Sequence, residues 1–215
     1  MRNMEIIIQT LDGYMNNTAQ IPPNGVLVVM PATHEAQAQQ AATLASQRAG
    51  MAGTLLVVLD AQRVGLVKVH NQIFRASRNP LYGYVAQDVF AGRQWLSKAA
   101  ANFDSNSCGL VAFNDGKWHG EMASFGLVNR AWVQSVYGGD LFFPGYERHY
   151  ADTELSLIAR QQGAFAYEAN AVAVEVDWGK DQASVHAPDR SLFRVRARSG
   201  FAGRVHNEDL LNLFG

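Results

Sequence analysis

The sequence has almost none of the residues that would stabilise it covalently or insert it into a membrane. Cys108 is the one cysteine among 215 residues, so neither an internal disulfide nor a CxxC zinc site is possible. A lone thiol is typical of a reducing compartment. No apolar run reaches the ~18 residues that span a bilayer, and the N-terminal stretch lacks a small-residue cleavage site. We therefore expect a soluble protein of the cytoplasm with no membrane span.

Charge is also sparse, and neither sign dominates. Charged residues make up 17% of the chain, below the ~25% usual for soluble proteins. Eighteen basic and nineteen acidic residues give a net charge of −1, which disfavours a uniformly basic nucleic-acid binder. A local basic patch is still compatible with this charge balance. The segment 190–204 contains five arginines, which form either a solvated face or a surface for an anionic acceptor or partner. Apolar residues, at 48%, are numerous enough for a folded core.

Hydrophobic periodicity predicts alternating strands and helices in the first half. Residues 26–30 and 54–59 are continuous apolar runs, typical of parallel strands covered on both faces. Between them, apolar residues at helical spacing predict a helix capped by Thr33 and running to Arg48. The other predicted strands are 5–9 (or an arm), 82–86, 110–113, 164–167 and 171–176, and the other predicted helices are 70–78 (or an irregular crossover), 92–103, 129–136, 152–162 and 208–213.

This order of elements predicts an α/β fold. We expect a mixed, mostly parallel sheet flanked by helices, with a Rossmann-like N-terminal half. A turn signal at Pro22-Pro-Asn-Gly25 separates an N-terminal extension, residues 1–24, from a main domain, residues 25–187. Residues 188–215 are expected to form a C-terminal tail.

Polar side chains follow three of the predicted strands. Glu35 follows the first, Asp60 the second, and Gln87 and Asp88 the third. Ligands of open α/β sheets bind beyond the carboxyl ends of the strands, so we expect these side chains at one edge. Carboxylates there can accept hydrogen bonds from a base or a ribose, and Asp88 with Mg²⁺ or Mn²⁺ can hold a diphosphate. Each acid also has a structural explanation, since Glu35 can complement a helix dipole, and Asp60 and Asp88 can cap a turn and a helix.

Four segments, in this order, resemble one enzyme family. They are Pro31-Ala-Thr-His-Glu35, the strand LLVVLD that ends at Asp60, Ala86-Gln-Asp88, and His149-Tyr-Ala-Asp152-Thr-Glu154. The sequence is similar here to nucleotide-sugar glycosyltransferases of the GT-A fold, in the large inverting family related to chitin, cellulose and rhamnan synthases. The resemblance covers about residues 25–187, and Ala86 stands where that family has the first acid of its Asp-x-Asp metal motif.

The resemblance implies a GT-A-like fold and a role for each matched residue. The enzyme would transfer a sugar from a nucleoside-diphosphate sugar to the hydroxyl of an unknown acceptor, with inversion. Asp152 would be the catalytic base. A Mn²⁺ or Mg²⁺ ion would be held by Asp88 and His186. The nucleotide would be bound by Pro31, Thr33, Glu35, Asp60, Gln87 and Asp88.

Two other functions are alternatives to a glycosyltransferase. A nucleotidyltransferase normally has a glycine-rich, basic loop after its first strand. Residues 33–40 contain no glycine, lysine or arginine, which counts against this function. A catalytically degenerate nucleotide-binding protein, or a structural protein of the same fold, is favoured by Ala86 and by the short chain. Under that reading, Asp152 is an ordinary helix N-cap.

Overall fold

The computed structural model describes residues 3–104, 107–176 and 185–214, which form one mixed α/β sheet with helices on both faces. Eight strands are present in these ranges, in the spatial order β1-β3-β2-β4-β7-β6-β8-β5. The strands are β1 (Glu5–Thr10), β2 (Val26–Ala32), β3 (Thr54–Leu59), β4 (Leu81–Tyr84), β5 (Val89–Ala91), β6 (Leu110–Asn114), β7 (Gly126–Asn129) and β8 (Phe165–Glu175).

Parallel pairs form the first half of the sheet, and one antiparallel strand divides it from the second. Strand β3 pairs parallel with β1 and β2, and β4 pairs parallel with β2. Strand β7 is antiparallel to both β4 and β6, β8 runs parallel to β6, and β5 runs antiparallel to β8. The prediction of a mixed, mostly parallel sheet flanked by helices is therefore confirmed.

Helices cover both faces of the sheet, and each face has its own apolar core. Along β2, Leu27 and Val29 point into one core, whereas Val28 and Met30 point into the other. This double burial explains why the strand is a continuous apolar run. No helix in the described ranges is long and apolar enough to cross a membrane. The helices are α1 (Leu11–Asn16), α2 (Glu35–Arg48), α3 (Leu66–Ala76), α4 (Trp95–Ala100), α5 (Arg130–Tyr137), α6 (Ala151–Gln161), α7 (Ala187–Arg198), α8 (Gly200–Gly203) and α9 (Glu208–Asn212).

Several predicted boundaries were wrong, for local reasons. Thr33 does not cap α2, since the helix begins at Glu35 with His34 at the cap position and no side-chain cap bond. Helix α4 starts only at Trp95, because Gln94 has a left-handed backbone with φ of 58°. The two strands expected at 164–167 and 171–176 are one long strand, β8, whose pairing with β6 shifts register near Asn114. Strands β5 and β7 and helices α1, α7 and α8 were not predicted.

Both end segments pack against the main sheet. Strand β1 pairs with β3 along its whole length, and Tyr14 and Ile21 are buried in the core of one face. Phe193 and Phe201, from the segment 188–215, belong to the same core. The division of the chain at residues 24 and 187 stays a prediction.

Candidate active site

An open cleft of about 360 Å³ lies at the carboxyl ends of β2, β3 and β4. This is the edge at which the sequence predicts a ligand site. The structure brings four of the predicted nucleotide-binding residues to this cleft, although their role in binding stays a prediction. Those four are Pro31, Thr33, Asp60 and Gln87, and the cleft is also lined by Ala32, Arg63, Gly65, Leu66, Ala86 and Arg148.

Gln87 joins the segment after β4 to the start of helix α2. Its Oε1 accepts hydrogen bonds from the backbone N–H of Thr33 at 2.8 Å and of His34 at 3.0 Å. These two N–H groups belong to the residues just before α2, so the amide of Gln87 holds the loop that leads into the helix and does not cap the helix itself. The floor of the cleft is fixed by this contact between two strand ends.

Asp60 shapes a turn while it lines the cleft. Its Oδ1 accepts from the N–H of Val64 at 2.9 Å, and its Oδ2 accepts from the N–H of Gly65 at 3.2 Å. Within the turn Arg63 has a left-handed backbone, with φ of 53°. The structural explanation for this acid is therefore correct, and the turn that it stabilises presents Arg63 to the cleft.

A smaller pocket of about 130 Å³ adjoins the cleft. Four residues line both spaces: Pro31, Leu66, Ala86 and Arg148. The wall of the small pocket is mainly apolar and aromatic, and its polar groups are few. The residues that line only the small pocket are His70, Tyr84, Val85, Ser124, Phe125, Phe142, Ala151 and Asp152.

Asp152 is the carboxylate of the small pocket. It is the second residue of α6, and its Oδ1 accepts from the N–H of Thr153 at 2.8 Å. Burial raises its pKa to about 6; hydrogen bonds from backbone N–H groups and the Thr153 hydroxyl oppose this rise, and the negative charge of Asp115 adds to it. A carboxylate with a pKa near 6 is suited to take a proton at neutral pH.

His70, which sequence reasoning placed only in a possible crossover helix, forms part of the same wall. It is buried in α3, with Nδ1 3.1 Å from the Tyr82 hydroxyl and its ring edge-on to Tyr84 and Phe142. Burial lowers its pKa to about 3, so the imidazole is neutral at physiological pH. Asp152 therefore faces an uncharged wall on this side of the pocket.

Sequence reasoning also missed two arginines, Arg63 and Arg148. Both are exposed and line the cleft, and neither forms an ion pair with another of the described residues. Their signal in the sequence is weak, because each lies in a loop with no recognisable motif. Two exposed guanidinium groups give this part of the cleft positive charge, which is chemically suited to an anion.

The described residues do not bring together the side chains of the metal centre that the family resemblance implies. Asp88 is buried and does not line the cleft, while Ala86, at the first position of the motif, does. His186 is the N-cap of α7, where its Nδ1 lies 3.1 Å from Asp189. No group of three or more His, Cys, Asp or Glu side chains among the described residues could hold a metal ion. Asp88 and His186 as ligands stay predictions, as does nucleotide binding by Glu35, which is exposed in the first turn of α2 outside the cleft lining.

No protein-family model and no curated protein matches this sequence, but solved structures share its fold. TarS of S. aureus superposes with a TM-score of 0.61 at 10% identity, over 88% of this chain and 42% of that one. Residues 1–349 of TarS in complex with UDP superpose with a TM-score of 0.57 at 14% identity, over 99% of this chain and 70% of that one. Glucosyl-3-phosphoglycerate synthase from Mycobacterium tuberculosis, in complex with Mg²⁺ and UDP, superposes with a TM-score of 0.51 at 11% identity. The match covers 95% of this chain and 88% of that one. This chain thus spans less than half of the full TarS chain.

The sheet, the cleft at its carboxyl edge and these similarities define the fold as that of the GT-A glycosyltransferases. The predicted GT-A-like fold is confirmed. At 10% to 14% identity, the similarity establishes the fold and leaves the activity to the chemistry of the site.

Proposed function

We propose that this protein is a glycosyltransferase that moves a sugar from a nucleoside-diphosphate sugar to an acceptor hydroxyl. The observation that carries the proposal is that the cleft at the strand ends and the pocket of Asp152 are adjacent, since they share four lining residues. A donor in the cleft would therefore place its sugar beside a carboxylate whose pKa, about 6, suits a general base. UDP is present in two of the similar structures, which makes a uridine nucleotide the first candidate.

The cleft offers matching groups to each part of such a donor. Asp60 can accept a hydrogen bond from a base N–H or a ribose hydroxyl, since each carboxylate oxygen has a second lone pair besides the one used in the turn. Arg63 and Arg148 supply two positive charges for the diphosphate, and guanidinium groups bind phosphate oxygens through paired, charge-assisted hydrogen bonds. As the diphosphate leaves, it gains charge, which these two arginines stabilise.

The transfer itself needs one base. The acceptor oxygen forms a bond to the anomeric carbon while the bond from that carbon to the diphosphate oxygen breaks. The carboxylate of Asp152 takes the hydroxyl proton, and the electron pair of the broken bond leaves with the diphosphate. A single displacement of this kind inverts the anomeric carbon, in agreement with the inverting family that the sequence resembles.

The first test measures nucleotide binding and asks whether binding depends on a divalent metal ion. Thermal shifts with UDP, GDP, CDP and dTDP are measured with EDTA, Mg²⁺ or Mn²⁺. We expect one nucleotide to raise Tm, and Arg148→Gln to weaken its affinity by about tenfold, as for loss of one charged hydrogen bond. Arg194→Gln, on the exposed face of α7, is the matched control and should leave the affinity unchanged.

Turnover is the second test. Release of the nucleoside diphosphate from its sugar donor is followed for the wild type and for Asp152→Asn. We expect the variant to bind the nucleotide normally and to lose at least ~100-fold in rate, as for removal of a general base. An unchanged rate would exclude Asp152 as the base. Binding without turnover in the wild type would favour the degenerate nucleotide-binding protein, and no binding at all would favour the structural one.

A further inference from the structure

A buried carboxylate in helix α7 fixes the loop that presents Arg148. Asp189, which is 1% exposed, accepts hydrogen bonds from three consecutive backbone N–H groups. Its Oδ1 accepts from Glu147 at 3.1 Å, and its Oδ2 accepts from Arg148 and from His149, each at 2.9 Å. The same carboxylate also lies 3.1 Å from Nδ1 of His186, at the N-cap of α7.

The same loop also contacts the turn that carries Arg63. The carbonyl of Glu147 accepts a hydrogen bond from the N–H of Val67 at 3.4 Å, and a Cβ on Gly65 would lie 2.8 Å from that carbonyl. Gly65 also has φ of 96°, so any side chain here would be both strained and crowded. The two arginine-bearing segments are thus in direct contact, the first shaped by Asp60 and the second by Asp189.

We propose that Asp189 is a positioning residue for anion binding in the cleft. By fixing the backbone of residues 147–149, it keeps the guanidinium of Arg148 where it meets the diphosphate, although Asp189 itself lines neither the cleft nor the small pocket. An arginine on an ordered loop loses less conformational freedom on binding than one on a loose loop. The inference rests on the proposed function, because it assumes a diphosphate ligand. It also gives the segment after residue 187, beyond the family resemblance, a role in the site.

A double-mutant cycle separates positioning from general stability, with UDP as the probe. Calorimetric titration gives the UDP affinity of the wild type, Asp189→Asn, Arg148→Ala and the double variant. Asparagine has nearly the shape of aspartate, but its NH₂ would face backbone N–H donors. If Asp189 acts through Arg148, we expect Asp189→Asn to weaken binding by about tenfold alone and by less than about twofold in the Arg148→Ala background.

Two further measurements accompany the cycle. Hydrogen exchange of the amides of residues 147–149 should become faster in Asp189→Asn, with or without UDP. Arg194→Gln, on the exposed face of the same helix, should change neither the affinity nor the exchange. If Asp189→Asn does not fold, Asp189→Glu takes its place in the cycle, because it retains the charge but moves the carboxylate by one methylene.

The outcomes distinguish the inference from the proposed function. An equal loss of affinity in both backgrounds, or no loss in either, would overturn the positioning role while UDP binding by the wild type still supports the function. Faster hydrogen exchange with an unchanged UDP affinity would also overturn the positioning role, since Asp189 would then stabilise the loop without affecting binding. Failure of the wild type to bind UDP would remove the uridine form of the proposed function, and the inference with it.

Discussion

Asp152 lies at the start of a helix, where the macrodipole and free N–H groups ordinarily favour a charged carboxylate. Burial outweighs them and raises its pKa to about 6. The raised pKa has a consequence for stability as well as for catalysis. Because the folded protein holds this proton more tightly than the unfolded chain, whose carboxyl has a pKa near 3.8, Asp152 favours folding at low pH. This contribution is lost as the pH rises through about 6.

Replacement of this residue should therefore make the protein inactive and more stable. At pH 8 we expect Asp152→Asn to raise the free energy of unfolding by ~1–3 kcal/mol, because the cost of a buried charge is removed. Most of this gain should be lost by pH 4, close to the pKa of the unfolded carboxyl. Urea unfolding at both pH values measures it, with the exposed Asp209→Asn as the control. A variant that is less stable than the wild type at pH 8 would show that the carboxylate is structural.

At the scale of elements, a buried ion pair joins α6 to α7. Glu154 is fully buried and accepts two hydrogen bonds from Arg196, both at 2.6 Å, besides those from the hydroxyls of Tyr137 at 3.0 Å and Tyr146 at 2.9 Å. The guanidinium of Arg196 also lies 3.3 Å from the centre of the Phe143 ring. Helix α7 is thus attached to the helix of Asp152 by this pair and to the loop of Arg148 by Asp189.

Loss of one partner of this pair should cost more than loss of both charges. We expect Arg196→Met to lower the free energy of unfolding by ~3–5 kcal/mol, because the buried carboxyl group of Glu154 would lose its cationic partner. The double variant Glu154→Gln, Arg196→Met should recover most of that loss, since the amide oxygen still accepts from the tyrosines. Chemical denaturation at pH 7 measures all three proteins, with the exposed Arg194→Met as the control. Equal losses in the single and double variants would contradict a desolvated pair.

Helix α7 also illustrates how far sequence reasoning reaches at this scale. Its four arginines, together with Arg204, were interpreted as a solvated face or a surface for an anionic partner, whereas Arg196 and Phe193 are directed inward. The long helix α6 was predicted almost to the residue, because apolar positions at helical spacing are visible in the sequence. A helix whose inward side contains a paired arginine gives no such pattern, since the partner is known only from the fold.

At the scale of the whole molecule, the N-terminal segment supplies an edge strand of the sheet and part of its core. Strand β1 covers the edge of β3, and Tyr14 and Ile21 fill the core beside α3. We expect removal of residues 1–24 to lower Tm by more than ~10 °C and to promote aggregation, because an edge strand and apolar surface become exposed. Thermal unfolding measures the change in Tm, with removal of residues 1–3 as the control. A Tm within about 2 °C of the full chain would support the predicted extension.

The sequence by itself determined the buried parallel strands β2 and β3 and the edge of the sheet where the candidate site lies. Continuous apolar runs specify buried parallel strands, and the polar residues after them must emerge where those strands end. Only the tertiary structure decided which side chains form the site. Arg63, Arg148 and His70 reach it because loops and helices distant in the chain pack together, and a single charged residue carries no periodic signal. The pKa of Asp152 was decided in the same way, since burial depends on every neighbour that the fold supplies.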